Sequence, residues 1–228
     1  MRINKYIAES GTCSRRQADK LIGEGRVTIN GKVCELGTTV GPEDKVYLDG
    51  ILVKRKKKKV YIALNKPVGI ECTTDKRIRE NIVDFVNHPK RVFPIGRLDK
   101  DSEGLILMTN DGDIVNRILR AENNNEKEYI VTVNKPITND FLKGMSDGVR
   151  ILGRETKPCK TYPINKDTFR IILTQGLNRQ IRRMCEVFGY RVIHLKRIRI
   201  MNIKLGYLKT GHWRNITRNE MDKLKRLL

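Results

Sequence analysis

The chain has 228 residues, enough to bury a substantial core as one large domain or two, and 39% hydrophobic with 32% charged residues marks it as globular rather than disordered. No apolar run reaches the length of a membrane span and the N-terminus lacks a signal peptide's apolar region; five cysteines without a C-x-x-C pair and three scattered histidines argue against a disulfide framework or a metal site. A formal net charge of +21 favours a polyanionic partner, because each phosphate neutralised by Lys or Arg releases condensed counterions, although charge alone does not separate RNA from DNA.

Residues 1–53 read as a small first domain. Ser14-Arg15-Arg16-Gln17 has capping-box spacing, and Ala18, Leu21 and Ile22 then form one apolar helical face. Arg15, Arg16 and Lys20 fall outside that stripe, on the solvent side. Val27 and Ile29 alternate up to the hairpin signal Asn30-Gly31, and Val46 and Leu48 do the same before Asp49-Gly50. The predicted order is helix, helix, then short strands. This segment holds eight basic and seven acidic residues, so any basic footprint on it comes from placement. Arg2-Ile3-Asn4-Lys5-Tyr6-Ile7-Ala8, the Ser14 to Ala18 run and Val27-Thr28-Ile29-Asn30-Gly31 together resemble an S4 RNA-binding domain. That resemblance implies a second helix and following turn that grip structured RNA by shape and phosphate, with Arg15, Arg16 and Lys20 as the contacts.

Residues 54–59, Lys-Arg-Lys-Lys-Lys-Lys, cannot bury and read as a basic linker. Residues 60–228 then form a second domain. Residues 60–64 give a strand signal that ends at Asn65-Lys66-Pro67, and Ile82, Val83, Phe85 and Val86 give a helical face closed before Pro89. Val92-Phe93-Pro94-Ile95 and Leu105-Ile106-Leu107-Met108 read as buried strands. A short helix is expected over Ile114 to Leu119, and strands over residues 127–133 and 169–173. Ile181, Met184, Cys185 and Phe188 make an apolar helical face, with Arg179, Arg182, Arg183 and Glu186 opposite, Asn178 as the cap and Gly189 as the end. Strands and helices mixed without a βαβ rhythm predict an α+β fold with a largely antiparallel sheet and a central cleft.

The chemistry is concentrated in Gly96-Arg97-Leu98-Asp99-Lys100-Asp101-Ser102-Glu103-Gly104-Leu105. A carboxylate in a charged turn between two apolar strands sits at a cleft edge on rigid supports. A calcium loop is a poor reading of the same residues, since its twelfth position is Asn110 and not Glu. The G-R-L-D-x-x-S-x-G-L run resembles the active-site motif of the pseudouridine synthases. Lys66-Pro67-x-Gly69 resembles their first motif, Lys127-Glu128-Tyr129-Ile130-Val131 their second, and Gly176 through Met184 their third. With the S4 segment and the closing Gly211-x-Trp213-Arg214-x-Ile216-Thr217-x-x-Glu220, the resemblance spans the chain and points to the RsuA-like branch.

What the resemblance implies is specific. Asp99 is the catalytic carboxylate, acting at the sugar or at the base ring. Tyr129 stacks on the target base, and Arg182 holds Asp99 by a salt bridge. Lys66, Arg97 and Arg179 are the expected RNA-binding residues of this domain. The enzyme would be a bacterial, cytoplasmic monomer that isomerises a flipped uridine in 23S ribosomal RNA, with transfer RNA as a second substrate class. It needs no cofactor and no metal, and it has no membrane partner. The alternative from another class is a non-catalytic S4-domain RNA-binding factor in ribosome assembly, which has no use for the Asp99, Tyr129 and Arg182 trio.

Overall fold

The computed structural model describes residues 1–54, 59–119 and 125–228. The chain divides into two compact units. One comprises Met1–Val60 with Pro89–Arg91 and Asn110–Gly112; the other comprises Tyr61–His88, Val92–Thr109 and Asp113–Leu228. Most of the basic run expected as a linker, residues 55–58, lies outside the described residues.

The first unit opens with helices α1 (Ile3–Glu9) and α2 (Arg15–Gly23), followed by short strands β1 (Val27–Ile29), β2 (Lys32–Val33), β3 (Val46–Leu48) and β4 (Ile51–Leu52). Ser14 Oγ accepts the Gln17 amide at 3.1 Å and so starts α2 where the sequence signal put it. Ala18, Leu21 and Ile22 pack on Ile3, Ile7, Val27 and Val46. The four strands form one antiparallel sheet in the order β2-β1-β3-β4, with Asn30-Gly31 and Asp49-Gly50 as its two-residue hairpin turns. Arg15, Arg16 and Lys20 are exposed on α2.

The second unit is built on β5 (Tyr61–Lys66), β6 (Phe93–Pro94), β7 (Glu103–Thr109), β8 (Lys127–Val133), β11 (Lys160–Pro163), β12 (Thr168–Leu173), β13 (Val192–Ile200), β14 (Ile203–Lys204) and β15 (Trp213–Asn215). They form one sheet in the order β11-β12-β8-β13-β7-β5-β15, with β14 added to β13 and β6 to β7. A separate small hairpin joins β9 (Arg150–Ile151) to β10 (Arg154–Glu155). In the large sheet β13 and β7 run parallel and the other pairs antiparallel. Helices α3 (Ile82–Val86), α4 (Gly112–Leu119), α5 (Asn139–Asp147), α6 (Gln180–Val187) and α7 (Arg218–Leu227) complete the chain.

Two apolar clusters make the core of this unit. Val131, Phe169 and Ile171 meet Phe141 of α5 and Met184 of α6 in one, while Leu105 and Leu107 meet Ile118 of α4 and Leu224 of α7 in the other. Leu105, Ile106, Leu107 and Met108 are all fully buried, which is why β7 reads as an unbroken apolar run and not as an alternating strand. The strand expected over Val92-Phe93-Pro94-Ile95 shrinks to the two residues of β6, because Pro94 brings no amide hydrogen and Gly96 turns the chain. The closing motif is structural. Thr217 and Glu220 form the capping box of α7, and Arg214 holds Glu220 through two 2.8 Å hydrogen bonds.

Gly104 has a specific reason to be glycine. It pairs with Arg197 where β7 meets β13, its φ is +106°, and a Cβ there would overlap the Arg197 backbone carbonyl. Gly104→Ala is therefore expected to destabilise the second unit by about 3 kcal/mol or more, through steric overlap added to backbone strain. Thermal unfolding of the variant checks this; a parent-like Tm would contradict it.

Candidate active site

Asp99 lies in the turn that leads into β7, and five other parts of the second unit fix that turn. Lys66, at the end of β5, is fully buried, and its ammonium donates to the carbonyls of Pro67 and Ile70 at 2.8 Å and of Lys100 at 3.4 Å. All three of its hydrogens thus have acceptors. The Gly69 amide reaches the same Lys100 carbonyl at 2.8 Å. Cys72 Sγ accepts the Leu98 amide at 3.3 Å. Arg197 of β13 donates Nε to the Leu105 carbonyl at 2.6 Å and Nη1 to the Arg97 carbonyl at 3.4 Å. From α6, Arg182 donates Nη2 to the Asp101 carbonyl at 2.9 Å and to Ser102 Oγ at 3.1 Å. The carboxylate is therefore carried on a turn whose backbone has little freedom left, the condition a reacting group needs.

This turn forms one wall of a cleft of about 830 Å³. Asp99 and Arg97 line it from the turn, Tyr129 and Lys127 from β8, Arg197 from β13 and Arg179 from the start of α6. Asp99 keeps 32% of its side chain exposed, whereas Tyr129 is 8% exposed. The structure thus brings together Asp99, Tyr129, Arg97 and Arg179. Two residues expected at the site do not line it. Lys66 is buried beneath the turn and is unavailable to RNA; its role is to tie the N-K-P-x-G turn to the Asp99 turn.

Arg182 also lies away from its expected partner. Its expected ion pair with Asp99 is replaced by one between Asp99 and Arg179, at 3.9 Å. Arg182 is 7% exposed, not on the solvent face, and its guanidinium bridges the Val192 carbonyl of β13 at 3.3 Å to the Asp101 carbonyl and Ser102 Oγ. The reason is helical phase. Arg179 sits just before α6 with a left-handed backbone (φ 49°) and takes the cap position expected of Asn178. Arg182 follows one turn later, on the buried side. Arg179 also grips Asp101 through two hydrogen bonds of 3.0 and 3.1 Å. Partial burial alone pushes the Asp101 carboxyl up, but the Arg179 hydrogen bonds and the Arg182 charge outweigh it and hold it below its ordinary range.

Cations dominate the cleft floor. Burial, and then the charge of Arg197, pushes the Lys127 ammonium from its ordinary 10.5 down to about 8. Between those values the folded chain binds fewer protons than the unfolded one, so the Lys127 contribution to stability rises with pH across that window. Lys127→Met is expected to flatten the rise in unfolding free energy between pH 8 and 10.5, read by denaturant titration at several pH values. Equal pH slopes for parent and variant would contradict the assignment.

Sequence reasoning passed over Arg197, Lys127 and Cys72. Arg197 sits in the basic run Lys196-Arg197-Ile198-Arg199 and looks like a solvated strand residue, yet it is 3% exposed. The available signal was strand alternation, since Leu195 and Arg197 fall on one face and Leu195 belongs to the core. Among the described residues no group of three His, Cys, Asp or Glu could hold a metal ion. No helix among them is long and apolar enough to cross a membrane. What remains is a fixed carboxylate and an aromatic ring in a cationic cleft, suited to an unstacked base with its phosphates.

Comparison with known proteins agrees with this chemistry. Residues 60–187 match the RNA pseudouridylate synthase family and residues 1–46 match the S4 domain. The dual-specificity RNA pseudouridine synthase RluF of Escherichia coli K12 is 58% identical over 230 residues, covering 100% of this chain and 79% of that protein. The ribosomal large subunit pseudouridine synthase B of Bacillus subtilis is 37% identical, over 99% of this chain and 96% of its own. A crystal structure of a pseudouridylate synthase superposes with a TM-score of 0.72 at 31% identity, covering 98% of this chain and 99% of that one.

Proposed function

Because the chain belongs to the RNA pseudouridylate synthase family, it is an isomerase that acts on uridine in RNA, and we propose that its target is a uridine of large-subunit ribosomal RNA, with transfer RNA as a second substrate class. The names of its relatives support this: one is a large-subunit ribosomal enzyme and another is dual-specific. The observation that carries the catalytic reading is the convergence of Asp99, Tyr129 and Arg179 on one cleft. A bare RNA-binding factor has no need of such a fixed carboxylate.

In the reaction the C1′–N1 bond breaks, the uracil turns within the cleft, and a C1′–C5 bond forms. C5 loses a proton and N1 gains one, so atoms and electrons balance within the nucleoside without a cofactor. Asp99 is the carboxylate that acts on the nucleoside, at the sugar or at the ring. Arg179 pairs with it and with Asp101, and Tyr129 walls the base. Arg182 is a positioning residue that holds the turn. Arg97, exposed at the cleft, and Arg15, Arg16 and Lys20, exposed on α2, contact phosphate. The proposed division is an S4 module over residues 1–53, a basic connector over 54–59 and a catalytic domain over 60–228, working as a monomer in the bacterial cytoplasm. Incubating the full chain with large-subunit ribosomal RNA or transfer RNA, and counting pseudouridine after digestion to nucleosides, tests the reading. New pseudouridine in neither RNA would refute it.

The S4 assignment has its own test. Removing one cation that pairs with a phosphate should reduce the slope of log affinity against log salt by about one unit, so Arg15→Ala/Arg16→Ala is expected to flatten it by about two. An unchanged slope would leave binding to the second unit, whose segment carries all but one unit of the net charge.

A further inference from the structure

Arg197 is more deeply placed than a clamp requires. It is 3% exposed, lines the cleft, and spends Nε and Nη1 on the carbonyls at the two ends of the Asp99 turn. Its remaining nitrogen, Nη2, is buried without a hydrogen-bond partner among the described residues. Buried donors are rarely left unpaired in native proteins, and an unpaired one on a residue that lines the cleft points to an acceptor that arrives with the ligand. The guanidinium carbon stands 6.0 Å from the centre of the Tyr129 ring, within reach of a base lying against that tyrosine. Lys66 and Lys127 nearby give their charges to other work: Lys66 to three backbone carbonyls, Lys127 to the Asn125 carbonyl at 3.3 Å.

We propose that Arg197 is a further residue of the reaction, clamping both ends of the Asp99 turn and donating Nη2 to a carbonyl oxygen of the target uracil. This rests on the synthase reading above and deepens it. When the C1′–N1 bond breaks, its electron pair passes to the uracil ring and the charge spreads onto O2 and O4. A fixed cationic donor on one of those oxygens binds the developing anion more strongly than the neutral base, which is the requirement for rate enhancement. The charge is discharged when C5 returns that electron pair to C1′ in the new C1′–C5 bond; loss of the C5 proton and gain of one at N1 then restore the conjugated ring. The same donor explains why the group is an arginine: one side chain has to bond two backbone carbonyls and a ligand in different directions, and only the planar fork does so.

The test uses the full chain and RNA with uridine, 2-thiouridine or 4-thiouridine at the modified position, each sulfur weakening one acceptor. Under single turnover, one of the two thio substrates is expected to react about ten-fold or more slowly with the parent, and Arg197→Lys to slow the uridine substrate by about a hundred-fold. The two losses should not multiply when combined, because both remove the same hydrogen bond. Full multiplication would show that Arg197 acts only through the turn and would overturn the proposal. Should Arg197→Lys not fold, the parent alone decides, since equal rates for all three substrates would also overturn it. Absence of product from unmodified uridine would instead strike at the synthase reading itself, so the two failures are distinguishable.

Discussion

Asp99→Asn is expected to reduce pseudouridine formation by about a thousand-fold or more, the usual cost of removing a group that acts on the reacting atoms. The amide nearly matches the carboxylate in shape, and the turn that carries it is held by backbone contacts from Lys66, Cys72, Arg182 and Arg197 that do not involve the Asp99 side chain. Folding should therefore be intact. RNA affinity should stay within a few-fold of the parent, because phosphate contacts and not this acid supply the binding free energy. Asp101→Asn offers the contrast. It weakens the two Arg179 hydrogen bonds and the 3.4 Å pair with Arg182, but at a side chain 45% exposed this should cost far less than the change at Asp99. Single-turnover product formation and filter binding read both quantities. A turnover close to the parent's in Asp99→Asn would remove this residue from the chemistry.

The second large effect is expected at Arg182. Arg182→Ala strips the Asp101 carbonyl, Ser102 Oγ and the Val192 carbonyl of their shared donor in a site where Arg182 is 7% exposed. An unsatisfied buried polar group costs about 1–3 kcal/mol, so the loss should be several kcal/mol, a large part of a typical domain's net stability. Arg182→Lys keeps the charge but cannot span strand and turn at once. It should lower Tm by several degrees and depress the rate through a loosened Asp99 turn. Arg179→Lys is expected to behave differently, with a near-parent Tm and a loss confined to activity, because Arg179 is exposed and its ion pairs are with Asp99 and Asp101. Parent-like Tm and rate in Arg182→Lys would contradict the positioning role.

These expectations depend on features of unequal visibility in the sequence. The strands over Lys127–Val133 and Thr168–Leu173, helix α3 and the Ser14 cap follow from local signals and appear in the structure where those signals lie. The turn that carries Asp99 is equally legible, because its glycines and charges stand out between apolar strands. The buried cations were not. Lys66 finds the Lys100 carbonyl 34 residues away, Arg182 the Asp101 carbonyl 81 away and Arg197 the Leu105 carbonyl 92 away. A charged side chain enters a protein interior only where acceptors are waiting, and acceptors supplied by distant backbone leave no trace in the local pattern. The same holds for Arg179 and Arg182. Both belong to a basic amphipathic stretch, and the left-handed Arg179 that sets the helical phase is a tertiary outcome. Sequence periodicity gave them one face, whereas the fold gave one to the cleft and the other to the core.

The central claim is that this chain makes pseudouridine in RNA through Asp99. Base-specific chemical mapping of pseudouridine in ribosomal and transfer RNA tests it most directly, comparing cells that lack the chain with the same cells supplied with the parent or with Asp99→Asn. The account predicts that the parent restores at least one pseudouridine, in large-subunit ribosomal RNA, and that Asp99→Asn restores none. Identical maps in all three strains, or full restoration by Asp99→Asn, would contradict it.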